Sequence, residues 1–521
     1  MNARHRFLIV LGVTVSLILL GGANGAFAAT AQPQRGGTLV FALGIPVTTT
    51  DPGIGSGSLV QTIRKVMYES LVWMTEEGEI KPLLAVSWML STDKKTWTFK
   101  LRQGVKFHDG TPFNAAAVKA TFDRLLDPAQ ALPRRAEFSW VRSVEAVDDT
   151  TVRIITEAPY GPTLRTLAMD SGSIISPTAL QKYGKDIGWH PVGTGPYKFE
   201  SRVPEESVTL VRYDDYWGGP RYLDRIEFRT VREDATRVAM LEAGEAQVVV
   251  NVPGTEVARL QKDPRLRVRL DPSTRVAHIG FNVHRAPFDK IKVRQALNYA
   301  VNRSAIVQGV LQEIGIPAKS ILAPATWGYH DVNMYPYDPN TAKRLLAEAG
   351  YPNGFETVLW TPEGRYFMDR QTAVAVQGQF QAVGVRTEIK VIDWATYLQV
   401  LRRPLETNET PMYLLGWESG TADAAILLDI VFRSEAAPPK AWNTMFYKNP
   451  KVDEHIEAGR RETDETKRAR IYSELQRIVM SDAPWIPLYV YKQTTGMQAN
   501  VEGVSVLATE VLLLRDAWLR R

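Results

Sequence analysis

The chain has 521 residues, a formal net charge of +5 and no cysteine. Without thiols it carries no disulfide, no thiolate metal site, no cysteine nucleophile and no N-terminal cysteine to acylate as a lipoprotein anchor. Basic and acidic residues are interspersed with no basic tract, which argues against nucleic-acid binding, and the length exceeds the roughly 250–300 residues at which one hydrophobic core stops growing, so two or more lobes are expected.

Arg4, His5 and Arg6 precede an apolar run from Phe7 to Leu20, and Ala26-Phe27-Ala28 follows as a small-x-small site. That order predicts a cleaved secretory signal over residues 1–28, with the mature protein starting at Ala29 in the periplasm. The apolar run is too short for a membrane-spanning helix, which needs roughly 18 apolar residues or more. Thr38 to Leu43 predicts a first strand. A glycine-rich loop with Ser56 and Gly57 follows, then a helix from Leu59 with Ile63, Val66, Met67 and Leu71 on one face. Trp97 to Leu101 alternates as a strand does, and Asn114 is a good N-cap for a helix through Leu126. Val144 to Ala158 reads as strand, Asp148-Asp149 turn, strand.

The second half is more helical. Lys290 to Gln312 predicts one amphipathic helix; others begin at Asp338-Pro339, span Thr372 to Val383, and span Glu465 to Met480. Val385 to Val391 and Met412 to Trp417 predict strands. Such alternation implies α/β lobes, whose ligands bind beyond strand ends. The seven histidines include no H-E-x-x-H pair, and no G-x-S-x-G elbow occurs. His278 and His284 could share a strand face, but satisfied structural histidines are expected. A hydrolase or a periplasmic chaperone stays open as an alternative.

Several segments together carry a resemblance. They are Trp97-Thr-Phe-Lys-Leu-Arg-Gln-Gly-Val-Lys-Phe-His-Asp-Gly-Thr-Pro-Phe113, Pro191-Val-Gly-Thr-Gly-Pro-Tyr197, Tyr216-Trp217-Gly-Gly, Val293-Arg-Gln-Ala-Leu-Asn-Tyr-Ala-Val301, Trp327-Gly-Tyr329 with Tyr337-Asp-Pro339, and Gly364-Arg-Tyr366. In this order they resemble the family 5 extracellular solute-binding proteins of ABC importers, which include dipeptide, oligopeptide, glutathione and nickel binders. The resemblance implies a type II periplasmic binding protein fold with two ligand-clamping α/β lobes plus an extra lobe. Lobe I would comprise 29–58, 190–275 and 490–521, lobe II (the extra lobe) 59–189, and lobe III 276–489. It also implies a monomer without cofactor that captures a peptide or peptide-like solute and delivers it to ABC permease subunits in the inner membrane. A metal chelate, opine, oligosaccharide or heme is the alternative ligand.

A binding protein must replace every hydrogen bond a polar ligand loses and pair every charge it buries. In dipeptide-binding relatives an arginine near the position of Arg365 grips the ligand carboxylate, as a guanidinium fork can do in a bidentate way. A surface arginine, or one paired with Asp369, is the alternative. Gly416-Trp417-Glu418-Ser419-Gly420-Thr421-Ala422-Asp423 resembles the family's Gly-Trp loop. Trp417 is then a pocket wall and Gly416 presents backbone. The aspartate that meets a dipeptide's ammonium three residues after the tryptophan is here Gly420, so Glu418 or Asp423 is the expected substitute. Ser56 and Gly57 form a further locus, where a small turn lets backbone approach a ligand. Tyr366 and Trp140 are candidate pocket aromatics, with core packing the alternative.

Overall fold

A computed structural model describes residues 32–55 and 57–521. The expected signal segment and Ser56 lie outside the described residues. Among those described, no helix is long and apolar enough to cross a membrane.

The chain opens with β1 (Thr38–Leu43), whose Leu39, Phe41, Ala42 and Leu43 are buried. Helix α1 (Ser58–Met67) follows and buries Leu59, Ile63, Val66 and Met67, the three- and four-residue spacing of a core-facing stripe. It ends where Tyr68 turns extended, so Leu71 belongs to the next segment rather than to the helix. A four-stranded antiparallel sheet comes next, from β2 (Ala85–Leu90), β3 (Thr96–Leu101), β4 (Val141–Asp148) and β5 (Thr151–Thr156) in the order β2-β3-β5-β4. Helix α2 (Ala115–Leu126) packs on it, capped by the Asn114 side chain, which accepts from the Ala117 N–H at 3.1 Å. This unit has its own apolar core around Phe99, Phe107, Phe122 and Phe138. Asp170 pins it to α1, with Arg64 at 2.9 Å and Arg134 at 2.6 Å and all three side chains buried.

Apart from three small two-stranded sheets, the remaining strands form one eleven-stranded sheet. One half contains β6 (Tyr197–Val203), β7 (Ser207–Arg212), β8 (Arg225–Thr230) and β9 (Val248–Val250), with β1 parallel to both β8 and β9. The chain then runs along β10 (Leu266–Phe281) into the other half. There lie α3 (Ile291–Ala300), α4 (Pro339–Glu348), β11 (Phe355–Thr361), α5 (Asp369–Gln381), β12 (Val385–Val391), β13 (Met412–Trp417), α6 (Ala424–Phe432), α7 (Pro450–Arg461) and α8 (Glu465–Asp482). It returns along β14 (Trp485–Gln498), antiparallel to β10 from Leu266↔Gln498 to Gly280↔Trp485. The two long strands are therefore the seam of the sheet, and β10 slips register between Pro272 and Val276, beside Arg275.

The α/β class read from the sequence is the one observed, with one local correction. The stretch 290–312 is two helices, α3 and Arg303–Gly309. Asn302 interrupts it because its side chain accepts from the Ala305 N–H at 2.9 Å and starts a new helix, a polar competition that apolar periodicity does not register. Strands β11 and β13 are parallel, pairing Leu359 with Met412 and Trp360 with Tyr413. Their C-terminal ends consequently lie at the same edge, and the loops after Thr361 and Trp417 emerge side by side.

Candidate functional site

Those two loops border a cavity of about 440 Å³. The first loop is shaped by Asp369, at the start of α5. Its carboxylate accepts backbone N–H bonds from Gly364 at 3.2 Å, Arg365 at 3.0 Å, Tyr366 at 3.1 Å and Arg370 at 2.8 Å. Gly364 takes φ +75°, which a residue with a side chain adopts only with strain. The loop thus has a fixed base, and Asp369 is spent on backbone rather than on the Arg365 side chain. The Arg365 guanidinium instead lies 5.2 Å from the Tyr366 ring centre and 4.9 Å from that of Trp394. Among the described residues no carboxylate pairs with it.

Tyr366 joins the two loops. Its hydroxyl accepts from the Gly416 N–H at 3.1 Å and donates to the Gly416 carbonyl at 3.3 Å. A Cβ at position 416 would stand 3.1 Å from the Tyr366 ring, so glycine permits this contact. The Gly416 backbone, expected to be presented to the ligand, is thus engaged with Tyr366 through both its N–H and its carbonyl. Trp417 lines the cavity and meets Trp442 edge to face at 5.2 Å. Glu418 pairs with Arg275, which also meets Glu510 at 3.2 Å. Burial opposes the Arg275 charge, yet Glu510 and Glu418 outweigh it and raise the guanidinium further above its usual range. Burial pushes the Glu510 carboxyl up, against the pull of Arg275 and with repulsion from Glu418.

Asp423 is turned away. It is fully buried, caps α6 through the Ala425 N–H at 2.9 Å, and receives the Arg468 fork, with Nη1 at 2.8 Å and Nη2 at 2.5 Å. Arg165 approaches it at 3.7 Å. An aspartate shared this way is not available to a ligand ammonium, which corrects its candidacy. Gly420 does line the cavity, and an added Cβ there would meet nothing within 4 Å. Gly57 precedes α1 and does not line the cavity; Gln61, one turn further on, does.

The structure thus brings Arg365, Tyr366, Gly416, Trp417, Glu418 and Gly420 to one cavity and leaves Gly57 and Asp423 out of it. Sequence reasoning missed Arg275, Trp394, Trp442, Gln61, Glu137 and Met169, which share that wall. None of them stood out in the sequence; Arg275 follows Arg267, Arg269 and Asp271 in the same strand and is not distinguished from them by type or spacing. His278 and His284 each have protein neighbours. His278 packs 3.9 Å from the Trp485 ring and is pushed down to about 3 by burial, while His284 Nε2 lies 3.1 Å from the Phe446 carbonyl. Among the described residues no group of three or more His, Asp or Glu side chains is placed to hold a metal ion.

Comparison with known proteins places this geometry. Residues 79–438 match the model of the bacterial extracellular solute-binding proteins, family 5 (middle part). The chain is 36% identical over 523 residues, covering 100% of both chains, to the glutathione-binding protein GsiB of Escherichia coli strain K12. Among solved structures, HbpA2 from Haemophilus parasuis superposes with a TM-score of 0.84 at 29% identity, over 93% of this chain and 100% of the other. The periplasmic binding protein DppA from Helicobacter pylori, in complex with the peptide STSA, gives a TM-score of 0.75 at 30% identity, over 94% and 99%.

Proposed function

The chain belongs to the bacterial extracellular solute-binding proteins of family 5, and from that premise we propose that it captures a small peptide or peptide-like solute in the cavity beside Arg365 and passes it to an inner-membrane ABC permease. The observation that carries the reading is the Arg365 guanidinium. It is held over two aromatic faces on a loop fixed by Asp369, and among the described residues no carboxylate forms an ion pair with it. A ligand carboxylate supplies the missing partner, and the fork geometry favours a bidentate pair.

The other end of the ligand meets a different arrangement. Gly420 carries no charge and Asp423 is engaged by Arg468. Glu418, shared with Arg275, is the acid left on this stretch of the wall. A free α-amino group then contributes less than in a site with a dedicated aspartate, and N-blocked or γ-linked peptides are tolerated. The glutathione-binding relative makes reduced glutathione, a γ-linked tripeptide, the first ligand to test. Closure of the two sheet halves about β10 and β14 buries the ligand, because capture requires the closed state to bind better than the open one. The signal expected over residues 1–28 sends the protein to the periplasm.

Calorimetry with reduced glutathione and with simple di- and tripeptides tests the proposal. The expected result is saturable one-to-one binding, without cleavage of the peptide and with a smaller radius of gyration by small-angle scattering when ligand is bound. Absence of binding by every peptide, or turnover abolished by a point mutation in the cavity, overturns it.

A further inference from the structure

A second chamber of about 220 Å³ adjoins the main cavity and shares Glu137, Ile426 and Ile430 with it. Its walls come from two distant parts of the chain. Trp140 and Tyr160, from the unit built on the four-stranded sheet, stack at 4.7 Å with 15° between their planes. Ala425, Ile426 and Ile430 from α6 complete the apolar lining. The Trp140 ring is fixed by its indole N–H, which donates to the Glu137 carbonyl at 2.9 Å. The Gly161 N–H donates to the Arg460 carbonyl at 2.8 Å and binds the two parts together beside the chamber.

The charges of this chamber are unevenly satisfied. Glu137 is held by Arg134 at 3.1 Å and by the Ser171 hydroxyl at 2.6 Å. Asp429 is held by Arg433 at 2.5 Å. Glu457, on the same helix as Arg460, is engaged by Arg461 at 2.5 Å and by Arg433 at 3.3 Å. Arg460 lines the chamber with its guanidinium 5.9 Å from the Tyr160 ring centre and, among the described residues, pairs with no acid. This repeats the condition of Arg365: a cation near an aromatic ring, facing a void, with no ion pair among the described residues.

We propose that the chamber is a second subsite, which takes an apolar stem of the ligand against Trp140, Tyr160 and the α6 face and a second ligand carboxylate at Arg460. The inference rests on the peptide reading above and narrows it to peptides with two carboxylates, one for Arg365 and one for Arg460. The unit built on the four-stranded sheet thereby becomes part of the specificity machinery.

Two tripeptides of equal shape, Glu-Ala-Gly and Gln-Ala-Gly, share the α-carboxylate and the α-amino group and differ by one carboxylate. Calorimetry on the wild-type protein is expected to favour Glu-Ala-Gly by about tenfold or more, as a partly desolvated charge pair does. Arg460→Gln should bring that ratio to about one, and Arg460→Glu should invert it, since like charges in one site repel. Arg365→Ala should weaken both peptides alike. Equal affinities in the wild type, a preference that survives Arg460→Gln, or an equal fall of both peptides in Arg460→Gln overturns the subsite while leaving the peptide reading standing. Failure of both peptides to bind a wild type that binds reduced glutathione or another peptide overturns the subsite alone, and failure of every peptide overturns both.

Discussion

Arg468 and Arg365 are both guanidinium groups laid on aromatic rings, and they are used in opposite ways. Arg468 lies 4.4 Å from the Trp327 ring centre and 5.1 Å from that of Tyr472, is almost wholly buried, and delivers its fork to Asp423. Arg365 has the same kind of seat on Tyr366 and Trp394 but is exposed at the cavity and, among the described residues, forms no ion pair. The aromatic platform is common to both; the carboxylate separates them. Where the protein supplies it, the pair belongs to the scaffold, because a desolvated charge tolerates no vacancy. Where it does not, the fork is the one proposed above to take a ligand carboxylate.

The sharpest way to break this contrast is to empty the scaffold pair. Asp423→Ala leaves Arg468 buried without its partner and is expected to cost about 3–5 kcal/mol of stability. A urea titration should show a clear fall in the unfolding midpoint, and an unchanged midpoint would erase the distinction between the two arginines. The reciprocal change, Arg365→Ala, should leave stability within about 0.5 kcal/mol and instead cost about 2–5 kcal/mol of ligand affinity, much of it from the ligand carboxylate left without a partner. Calorimetry beside the urea titration reads both quantities. A stability loss without an affinity loss would reassign Arg365 to the scaffold.

Acid offers a third separation. Burial holds His278 down to about 3 and His108 to about 4, so both stay neutral in the folded protein while the unfolded chain protonates them near 6.5. The unfolded state then binds more protons, and the stability these histidines contribute is lost as pH falls from about 6.5 toward those values. The slope reaches on the order of 1.4 kcal/mol per pH unit for each histidine. The Arg365-dependent part of the affinity should stay flat from about pH 8 to pH 6, since a guanidinium does not titrate there. Melting temperatures and binding isotherms across this range test whether scaffold and site part company. The smallest effect expected is that of Gly420→Asp. The new carboxylate enters open space and should increase the preference for a free over an acetylated α-amino group by about 0.5–1 kcal/mol, the scale of a partly solvated pair. No change in that preference would place the ligand amine elsewhere.

Much of the fold is local and was legible as such. Asn114 before Ala115 and Asp338-Pro339 mark helix starts, since a side-chain oxygen must satisfy the first free N–H groups wherever a helix begins. The buried strands Thr38–Leu43 and Met412–Trp417 stand out as short apolar runs between polar turns. Arg365 follows the end of β11 and Trp417 closes β13, and each stands in a recognisable local motif. The boundary at Asn302 was missed because a cap in mid-pattern leaves the apolar stripe intact.

By itself the sequence determined the α/β class, most element positions and the two loops that border the cavity, which depend on residues within a few positions of one another, and the family, which rests on the order of several such local motifs. Only the tertiary structure decided which side chains face the void. Gly420 lines it and Asp423, three residues later, does not, because Asp423 is claimed by Arg468, 45 positions away in the chain. Arg275 receives Glu418 because the register of β10 against β13 pairs Val276 with Trp417, and it receives Glu510 from a segment far along the chain. Arg460 reaches a chamber beside the cavity through the approach of α7 to Tyr160 and Gly161. Whether a charge is spent on the scaffold or left for a ligand is a property of its neighbours in space, and those neighbours are set by long-range packing that no short stretch of sequence contains.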